Sequence, residues 1–269
     1  ATLIDRADQA FQQDDYTSIH AAINDEDTID DDTIIVCPGT YHENLTFDGS
    51  KNITVQSVDP ANLDIVAATI INGDINGDGF GDGSVATFVN GNESTLQGFT
   101  VTNGSGTSIG SYTAGGGIYI NSSNPNILNN IIEDNASANG GGIFIAGDSY
   151  PEIDKNIIRN NESTNMAGGI YIFKCSPNIT NNTISGNLTN THGGGIYVFE
   201  GYKESLNNIS YNVIENNQAN NGGGVYLSNT SPSLVNNDIK NNNANNYGGG
   251  IYIEGGSPYV TENNFISRN

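Results

Sequence analysis

Residues 115–145 read GGGIYINSSNPNILNNIIEDNASANGGGIFI and contain one complete repeat of the chain. The stretch opens and closes with Gly-Gly-Ile-(Tyr/Phe)-Ile, a motif that occurs six times at intervals of 25 to 29 residues, with Val or Leu replacing an Ile in two of the copies. Between the copies, short apolar segments are separated by Gly and Asn, and they are too short for helices. Because Ile, Val and Tyr favour strands, each repeat is predicted to hold three short strands and three turns. The first aliphatic residues of the copies are Ile118, Ile143, Ile170, Ile196, Val225 and Ile251.

Repetition at this period is typical of a solenoid, in which each repeat forms one coil and contacts only its neighbours. Coils stacked about 4.8 Å apart would form three parallel sheets around one core. We therefore predict an all-β, single-stranded, right-handed parallel β-helix of about eight coils over residues 33–269, with regular coils of about 26 residues from about residue 115. Residues 1–32, which contain a short helical segment and an acidic run, are assigned to an N-terminal cap over the open end of the core.

Asparagine recurs at two positions of each repeat. A side-chain amide at the same position of successive coils can bond to the next amide, so that a ladder forms inside the helix. We expect two such ladders, and a structural rather than a ligand-binding role for these residues. The predicted columns are Asn130, Asn156, Asn182, Asn212, Asn237 and Asn263, and Asn135, Asn161, Asn187, Asn217 and Asn242.

Stacking also predicts which other side chains meet. Opposite charges fall one coil apart in three places, and we interpret them as surface ion pairs. Cys37 and Cys175 lie several coils apart, too far for a disulfide, so two free thiols are expected. The predicted ion pairs are Glu133 with Arg159, Glu215 with Lys240, and Lys174 with Glu200.

The charge balance restricts the partners. Thirty Asp and Glu stand against eight Lys and Arg, giving a formal net charge of −22. Nucleic acid and anionic membranes are therefore poor partners, whereas neutral glycans, cations and basic proteins stay open. No stretch reaches the ~18 apolar residues of a membrane span. Because the chain starts at Ala1 and stops in mid-repeat at Asn269, we expect a piece of a longer extracellular or cell-surface protein.

One aromatic residue recurs in every Gly-Gly motif. Alternation along the strand places the two aliphatic residues inward and the aromatic residue outward. The sequence therefore predicts an external stripe that offers sugar-stacking faces or an interface with another copy or another protein. The alternative is that the rings only stack on each other or lie under loops. The stripe comprises Tyr119, Phe144, Tyr171, Tyr197, Tyr226 and Tyr252.

The loop from Asp74 to Asp82 has the spacing of a calcium-binding loop. Oxygen-bearing side chains stand at positions one, three, five and nine, a glycine at six, and the carbonyl of Phe80 at seven. Val85 at position twelve replaces the bidentate Glu of an EF-hand, so only weak Ca²⁺ affinity is expected. The alternative is an acidic glycine-rich turn without an ion. The predicted ligands are Asp74, Asn76, Asp78, Phe80 and Asp82.

Glu152 and Asp154 interrupt the repeat, since neighbouring coils carry Asn, Leu or Thr at these positions. They flank an inward Ile153, so both should face outward, about 6–7 Å apart. That separation is compatible with the paired carboxylates of a glycosidase. The alternative is a solvated face with Lys155 nearby.

The chain resembles the pectin-lyase-like superfamily of right-handed β-helices. The segments Ser18-Ile-His-Ala-Ala-Ile-Asn24, Thr33-Ile-Ile-Val-Cys-Pro-Gly-Thr-Tyr41 and Glu43-Asn-Leu45 are similar to the family's entry, a short helix followed by a strand that ends in Pro-Gly-x-Tyr. The Gly-Gly-Ile-Tyr-Ile and Asn-x-Ile-x-x-Asn units look like the repeats of bacterial and archaeal surface proteins. The resemblance implies the fold and leaves several activities open, because the family includes lyases, hydrolases, adhesins and structural proteins.

Three functions are consistent with these features. The first is a non-catalytic extracellular or cell-surface scaffold for glycan binding, adhesion or self-assembly, whose partner is a carbohydrate, another surface protein or a second copy. The second is a polysaccharide lyase or glycoside hydrolase, although the sequence lacks the Asp-Pro-His, Gly-His-Gly, Gln-Asp-Thr and Arg-Ile-Lys signatures of such enzymes. The third is an ordered surface layer or filament.

Overall fold

A computed structural model describes residues 4–6, 16–200, 208–261 and 263–269 of the chain. They form a parallel β-solenoid of about eight coils, as predicted, with one short helix in the predicted cap and a second, unpredicted one in the first coils. The entry segment and the first two coils contain β1 (Ile4–Arg6), α1 (Ile19–Asn24), β2 (Thr33–Val36), β3 (Gly39–His42), β4 (Leu45–Phe47), β5 (Thr54–Ser57), α2 (Leu63–Ala68), β6 (Thr69–Asn72) and β7 (Ala86–Val89).

The later coils have nearly uniform strand lengths. The next three contain β8 (Thr95–Gln97), β9 (Thr100–Thr102), β10 (Thr107–Ile109), β11 (Tyr112–Ala114), β12 (Ile118–Asn121), β13 (Asn126–Leu128), β14 (Ile131–Glu133), β15 (Ala136–Asn139), β16 (Ile143–Ala146), β17 (Glu152–Asp154), β18 (Ile157–Arg159), β19 (Glu162–Met166) and β20 (Ile170–Phe173). The remaining strands are β21 (Asn178–Thr180), β22 (Thr183–Ser185), β23 (Leu188–Thr189), β24 (Ile196–Phe199), β25 (Asn208–Ser210), β26 (Val213–Glu215), β27 (Gln218–Asn221), β28 (Val225–Ser228), β29 (Ser233–Val235), β30 (Asp238–Lys240), β31 (Asn243–Tyr247), β32 (Ile251–Glu254), β33 (Tyr259–Val260) and β34 (Phe265–Ser267).

The three predicted sheets are present, and a fourth forms in the turn before the glycines. We label the four sheets A to D. Along each complete coil the chain passes through them in the order A, B, D and C. The strand orders are β1-β2-β5-β8-β13-β17-β21-β25-β29-β33 in sheet A, β3-β6-β9-β14-β18-β22-β26-β30-β34 in sheet B, β4-β7-β12-β16-β20-β24-β28-β32 in sheet C and β10-β11-β15-β19-β23-β27-β31 in sheet D. Neighbours are parallel except for the antiparallel pairs β1–β2 and β10–β11.

Strand pairing confirms that residues about one repeat apart lie directly above one another. In sheet C, Phe144 is paired with Tyr171, and Tyr171 with Tyr197. In sheet A, Ile153 is paired with Ile179. The inward aliphatic residues of every coil except the last are buried and form one continuous core along the axis. Equivalent positions of successive repeats are therefore aligned along the axis of the solenoid.

Both asparagine ladders are present, and each amide in them makes several bonds. Asn182 Nδ2 donates to Asn212 Oδ1 at 3.1 Å and to the carbonyl of Ile153 at 2.8 Å. Its Oδ1 accepts from Asn156 Nδ2 at 3.1 Å and from the Asn156 backbone N–H at 2.8 Å. The ladders therefore satisfy the buried backbone groups at both corners of sheet B. The second column ends in Asn269, which accepts from Asn242 Nδ2 at 3.0 Å.

The last rung of the first ladder differs from the prediction. Asn264, not Asn263, accepts from Asn237 Nδ2, at 3.0 Å. The last coil has one additional residue before its corner, so the prediction of Asn263 was wrong by one position. This shift is a change in coil length, which a fixed offset from Pro258 does not detect.

Each ladder residue follows a residue in the left-handed backbone conformation. Asn181 has φ of 56° before Asn182, and Asn216 has φ of 56° before Asn217. Asn tolerates this conformation better than other residues with a Cβ atom, which explains the frequent Asn-Asn pairs in the sequence. The left-handed residue thus produces the sharp corners between sheets A and B and between sheets B and D.

The N-terminal end of the solenoid is covered by helix α1. Ser18 caps the helix by accepting from Ala21 N–H at 3.1 Å, and Ile19 and Ile23 are buried in the core. Glu43 accepts from the free N–H groups of the first turn, including Ile19 N–H at 3.1 Å. Residues 1–3 and 7–15 of the predicted cap lie outside the described residues, and its boundary at residue 32 stays a prediction.

The predicted ion pairs are formed and both cysteines are free. The closest contacts are 2.6 Å for Glu133 with Arg159, 3.7 Å for Glu215 with Lys240 and 3.1 Å for Lys174 with Glu200. Cys175 is buried and Cys37 is half-buried. In the part of the chain that the structure describes, neither helix has the length and apolar character needed to cross a membrane.

Candidate functional site

The aromatic column is aligned as predicted, but it is not exposed. Tyr119, Phe144, Tyr171, Tyr197 and Tyr226 are only 3–9% exposed, and Tyr252, in the last coil, is partly buried. The rings point away from the central core and form a second apolar cluster outside sheet C. The prediction of an external stripe was therefore wrong, and the alternative of mutually stacked, covered rings is confirmed.

The cover comes from sheet D and from the end of each sheet C strand. Ala167 and Met166, which precede the glycines of one coil, pack on the aromatic cluster. In the next coil, the ring of His192 stacks on Tyr226 with centroids 4.6 Å apart. Tyr171 and Tyr197 also stack on each other, with centroids 5.1 Å apart and planes 9° apart. The ring faces are therefore occupied by other rings and are not free for a sugar.

His192 makes this cover sensitive to pH. Burial lowers the pKa of His192 from its ordinary value, although the Glu254 carboxylate partly opposes this change. Since the unfolded chain then binds the proton more tightly than the folded chain, stability is full above the ordinary histidine pKa of about 6.5 and falls as the pH drops through the folded value. We expect a lower Tm near pH 5 than near pH 7.5, and a smaller difference in His192→Met, which copies Met166. Thermal unfolding at both pH values would check this, with His20→Gln as the exposed control.

Two partly exposed aromatic residues were missed by the sequence analysis. Phe173 and Phe199 end adjacent strands of sheet C and stack with centroids 5.8 Å apart. Lys174 Nζ lies 5.3 Å from the centroid of Phe173, so one face of this pair is already occupied by a cation. The available signal was an apolar residue at an outward position where other coils carry Asn, Ala or Ser.

The loop Asp74–Asp82 is folded by its own side chains. Asp74 Oδ1 accepts from Gly77 N–H at 2.9 Å, and Asp78 Oδ1 accepts from Phe80 N–H at 2.9 Å. Asp82 accepts from Asn76 Nδ2 at 3.1 Å. Nowhere among the described residues are three Asp, Glu, His or Cys side chains grouped as metal ligands would be. The Ca²⁺ site stays a prediction.

The acidic pair Glu152 and Asp154 lies on the outer face of sheet A, with Ile153 fully buried between them. Burial by itself raises the pKa of Asp154, but hydrogen bonds from Asn181 and Thr180, together with Lys155, outweigh it and hold the pKa below its ordinary value. A lowered pKa suits the ionised member of a glycosidase pair and not its acid. The catalytic interpretation of the pair stays a prediction.

The outer face of sheet A is open to solvent. Its outward side chains are half-buried in nearly every coil, and most are neutral hydrogen-bonding groups. They are linked from rung to rung, as shown by Asn208 Nδ2 donating to Asn178 Oδ1 at 2.6 Å and Gln97 Nε2 donating to Gln56 Oε1 at 2.6 Å. In the coils that carry the aromatic column, sheet D covers the outer face of sheet C.

A depression of about 470 Å³ lies at the N-terminal end of this face. Thr54 and Thr95 form its floor, and Asp30, Asp31 and Glu93 lie around it. Its carboxylates would repel anionic ligands. The polar face and its acidic end therefore favour neutral or cationic ligands.

Comparison with known proteins supports the fold. Residues 136–266 match the model of a family described as a right handed beta helix region. No curated protein and no solved structure matches the chain. The matched residues cover the regular coils, and the same sheets continue without a break through the coils before them. The chain is therefore a right-handed parallel β-helix repeat protein, with a fold consistent with the pectin-lyase-like superfamily.

Proposed function

We propose that the protein is a non-catalytic extracellular or cell-surface scaffold that binds neutral glycans along the outer face of sheet A. The observation that carries this proposal is the set of polar side chains on that face, several of which are hydrogen-bonded from one coil to the next. Asn126 Nδ2 donates to Thr95 Oγ1 at 3.1 Å, and Asn178 Nδ2 donates to Glu152 at 2.7 Å. The oxygen of each such amide keeps acceptor capacity that a sugar hydroxyl can pair with.

The geometry supports binding of a chain rather than of a single sugar. Successive rungs repeat at about 4.8 Å, so a polymer lying along the axis meets similar groups at every coil. The hydrogen bonds between these surface side chains of sheet A also hold them in place, which lowers the conformational entropy lost on binding. The net charge of −22 opposes uronate-containing and sulfated chains. The neutral polysaccharide is therefore the favoured ligand class.

Co-sedimentation and titration with neutral, uronate-containing and sulfated polysaccharides would test the proposal. We expect binding of neutral polymers and an affinity about tenfold lower in Asn178→Val with Asn208→Val, because two hydrogen-bonding groups are lost. Thr183→Val on sheet B is the matched control and should bind normally. Unchanged binding by the double variant would contradict the proposal.

The enzyme alternative has its own outcome in the same experiment. A lyase or hydrolase would release oligosaccharides from one of the polymers. If the wild-type chain did so and Glu152→Gln or Asp154→Asn did not, the non-catalytic assignment would be wrong. Concentration-dependent polymerisation without glycan binding would instead favour self-assembly.

Calcium binding to the loop Asp74–Asp82 is a separate proposal, supported by the spacing of its oxygen ligands. We expect a Kd on the order of 10⁻⁴ to 10⁻³ M, since the site lacks a bidentate Glu at position twelve. Calorimetric titration with CaCl₂ should show this binding, and Asp74→Asn should abolish it. The exposed Asp59→Asn is the control, and equal titration of both variants would contradict the prediction.

A further inference from the structure

A second cavity lies outside sheet C, where this sheet meets sheet D. It has a volume of about 390 Å³, within the range of about 300–1,000 Å³ typical of small-molecule sites. It is open to solvent between strands β4 and β7 of sheet C, the end of the Asp74–Asp82 loop and the hairpin β10–β11. The lining residues used below are Asn44, Thr46, Asp82, Ser84, Thr87 and Thr107.

The cavity exists because two coils lack the aromatic residue of the column. Strand pairing places Thr46 above Thr87 and Thr87 above Tyr119. The two threonines therefore occupy the positions that hold rings in the later coils. The hairpin β10–β11, with which sheet D begins, lies beside these two threonines and forms one wall of the cavity. The space that rings fill in later coils is therefore bounded by this wall but empty of side chains. The space is thus defined by the fold rather than by a mobile surface loop.

The walls of the cavity are held in fixed positions by hydrogen bonds. Ser84 Oγ donates to the Gly115 carbonyl at 2.6 Å, so it accepts from Thr107 N–H and from the Thr107 hydroxyl, both at 2.8 Å. Thr107 Oγ1 is left with acceptor capacity, and Thr87 Oγ1 lies 3.5 Å away. The Asp82 carboxylate is oriented by Ile75 N–H at 2.9 Å.

One polar atom of a residue that lines the cavity has no hydrogen-bond partner in the described part of the chain. Asn44 Oδ1 is buried and makes no hydrogen bond to the described residues. A buried acceptor without a donor costs about 1–3 kcal/mol. This atom has almost no surface toward the open cavity, so it is not counted among the groups that contact the ligand.

The lining determines the class of ligand. Among the described residues that line the cavity, none is basic and none carries an aromatic or large aliphatic side chain. Anionic and apolar ligands are therefore disfavoured. Hydroxyl groups both donate and accept, and a carboxylate accepts from two neighbouring hydroxyls. We infer that this cavity binds a single neutral sugar residue through its hydroxyl groups. The inference deepens the proposed function and rests on it for the ligand class, a neutral glycan, of which the cavity would hold an end or branch residue apart from the polymer on sheet A.

Titration of the whole chain with methyl glycosides of neutral hexoses, followed by NMR, would test the inference. We expect shifts of the Thr46, Thr87 and Thr107 amides with a Kd of about 1 mM, and weaker binding of glucuronate and hexose phosphates. Thr87→Val keeps the shape of the side chain and should lower the affinity about tenfold. Thr87→Tyr restores the aromatic column and should abolish binding by filling the cavity.

The outcomes separate this inference from the proposed function. Loss of methyl glycoside binding in Thr87→Val and Thr87→Tyr, with retention in Asn178→Val and Asn208→Val, would support the cavity. Absence of shifts at the cavity in the wild-type chain, or equal binding of charged sugars, would overturn it. Polysaccharide binding along sheet A would persist in that case, so the two proposals can fail independently.

Discussion

Asn182→Ala is expected to lower the free energy of unfolding by about 3–5 kcal/mol. Asn182 is 1% exposed, and its side chain links three coils of the solenoid. Its removal leaves the Asn156 backbone N–H and the Ile153 carbonyl without these partners in a buried corner. Each unpaired buried group costs about 1–3 kcal/mol, and the lost side chain also leaves a cavity.

Hydrogen exchange would locate this effect. The Asn156 amide should lose its protection in Asn182→Ala, together with its neighbours in the same corner, while unfolding by denaturant moves to lower concentration. Asn243→Ala is the matched control, because Asn243 is exposed on β31 and its replacement should change stability by less than about 0.5 kcal/mol. Equal stability of the two variants would show that the side-chain hydrogen bonds of Asn182 do not stabilise the fold.

Gly194→Ala is expected to destabilise the fold by about 3 kcal/mol or more, or to prevent folding. A Cβ atom at this position would lie 2.4 Å from the Gly223 carbonyl and 2.7 Å from the Gln218 backbone nitrogen. Both are backbone atoms of the next coil, and Gln218 N–H is itself bonded to the Asn187 carbonyl at 2.9 Å. Neither atom can move away without breaking backbone hydrogen bonds between neighbouring coils. The added methyl group would therefore force these two coils apart.

Gly39→Ala is the control for this substitution. A Cβ atom at Gly39 would lie 3.6 Å from the ring of Tyr41, which is an ordinary van der Waals contact. Its thermal unfolding should be close to that of the wild-type chain, whereas Gly194→Ala should unfold at a much lower temperature or accumulate in inclusion bodies. Similar behaviour of the two variants would contradict the close approach of coils at the glycine column.

The sequence predicts the solenoid well because each coil contacts mainly the next one. Six copies of one motif set the period, and the period set the ladders, the ion pairs and the alignment of the aromatic residues. The error of one position at Asn264 arose where the period itself changed. Local repetition therefore carries most of the information about the fold.

The exposure of the aromatic column could not be predicted in the same way. Its cover comes from residues such as Met166 and His192, in a segment whose side chains follow no apolar pattern. The short strands of sheet D depend on pairing between coils, and a single repeat gives no sign of them. The cavity was harder to predict still. Its lining comes from several segments between Asn44 and Thr113, in coils that do not follow the regular repeat.

The Asn182–Asn212 rung spans 30 residues, whereas the two rungs before it span 26, yet its bond length is the same as that between Asn156 and Asn182, 3.1 Å. The four added residues fall between the end of β24 and the start of β25, where sheet C gives way to sheet A. Coil length and ladder register are therefore uncoupled at that corner. The scaffold can gain surface segments there during evolution, or accept a grafted peptide by design, while every rung on either side keeps its partner.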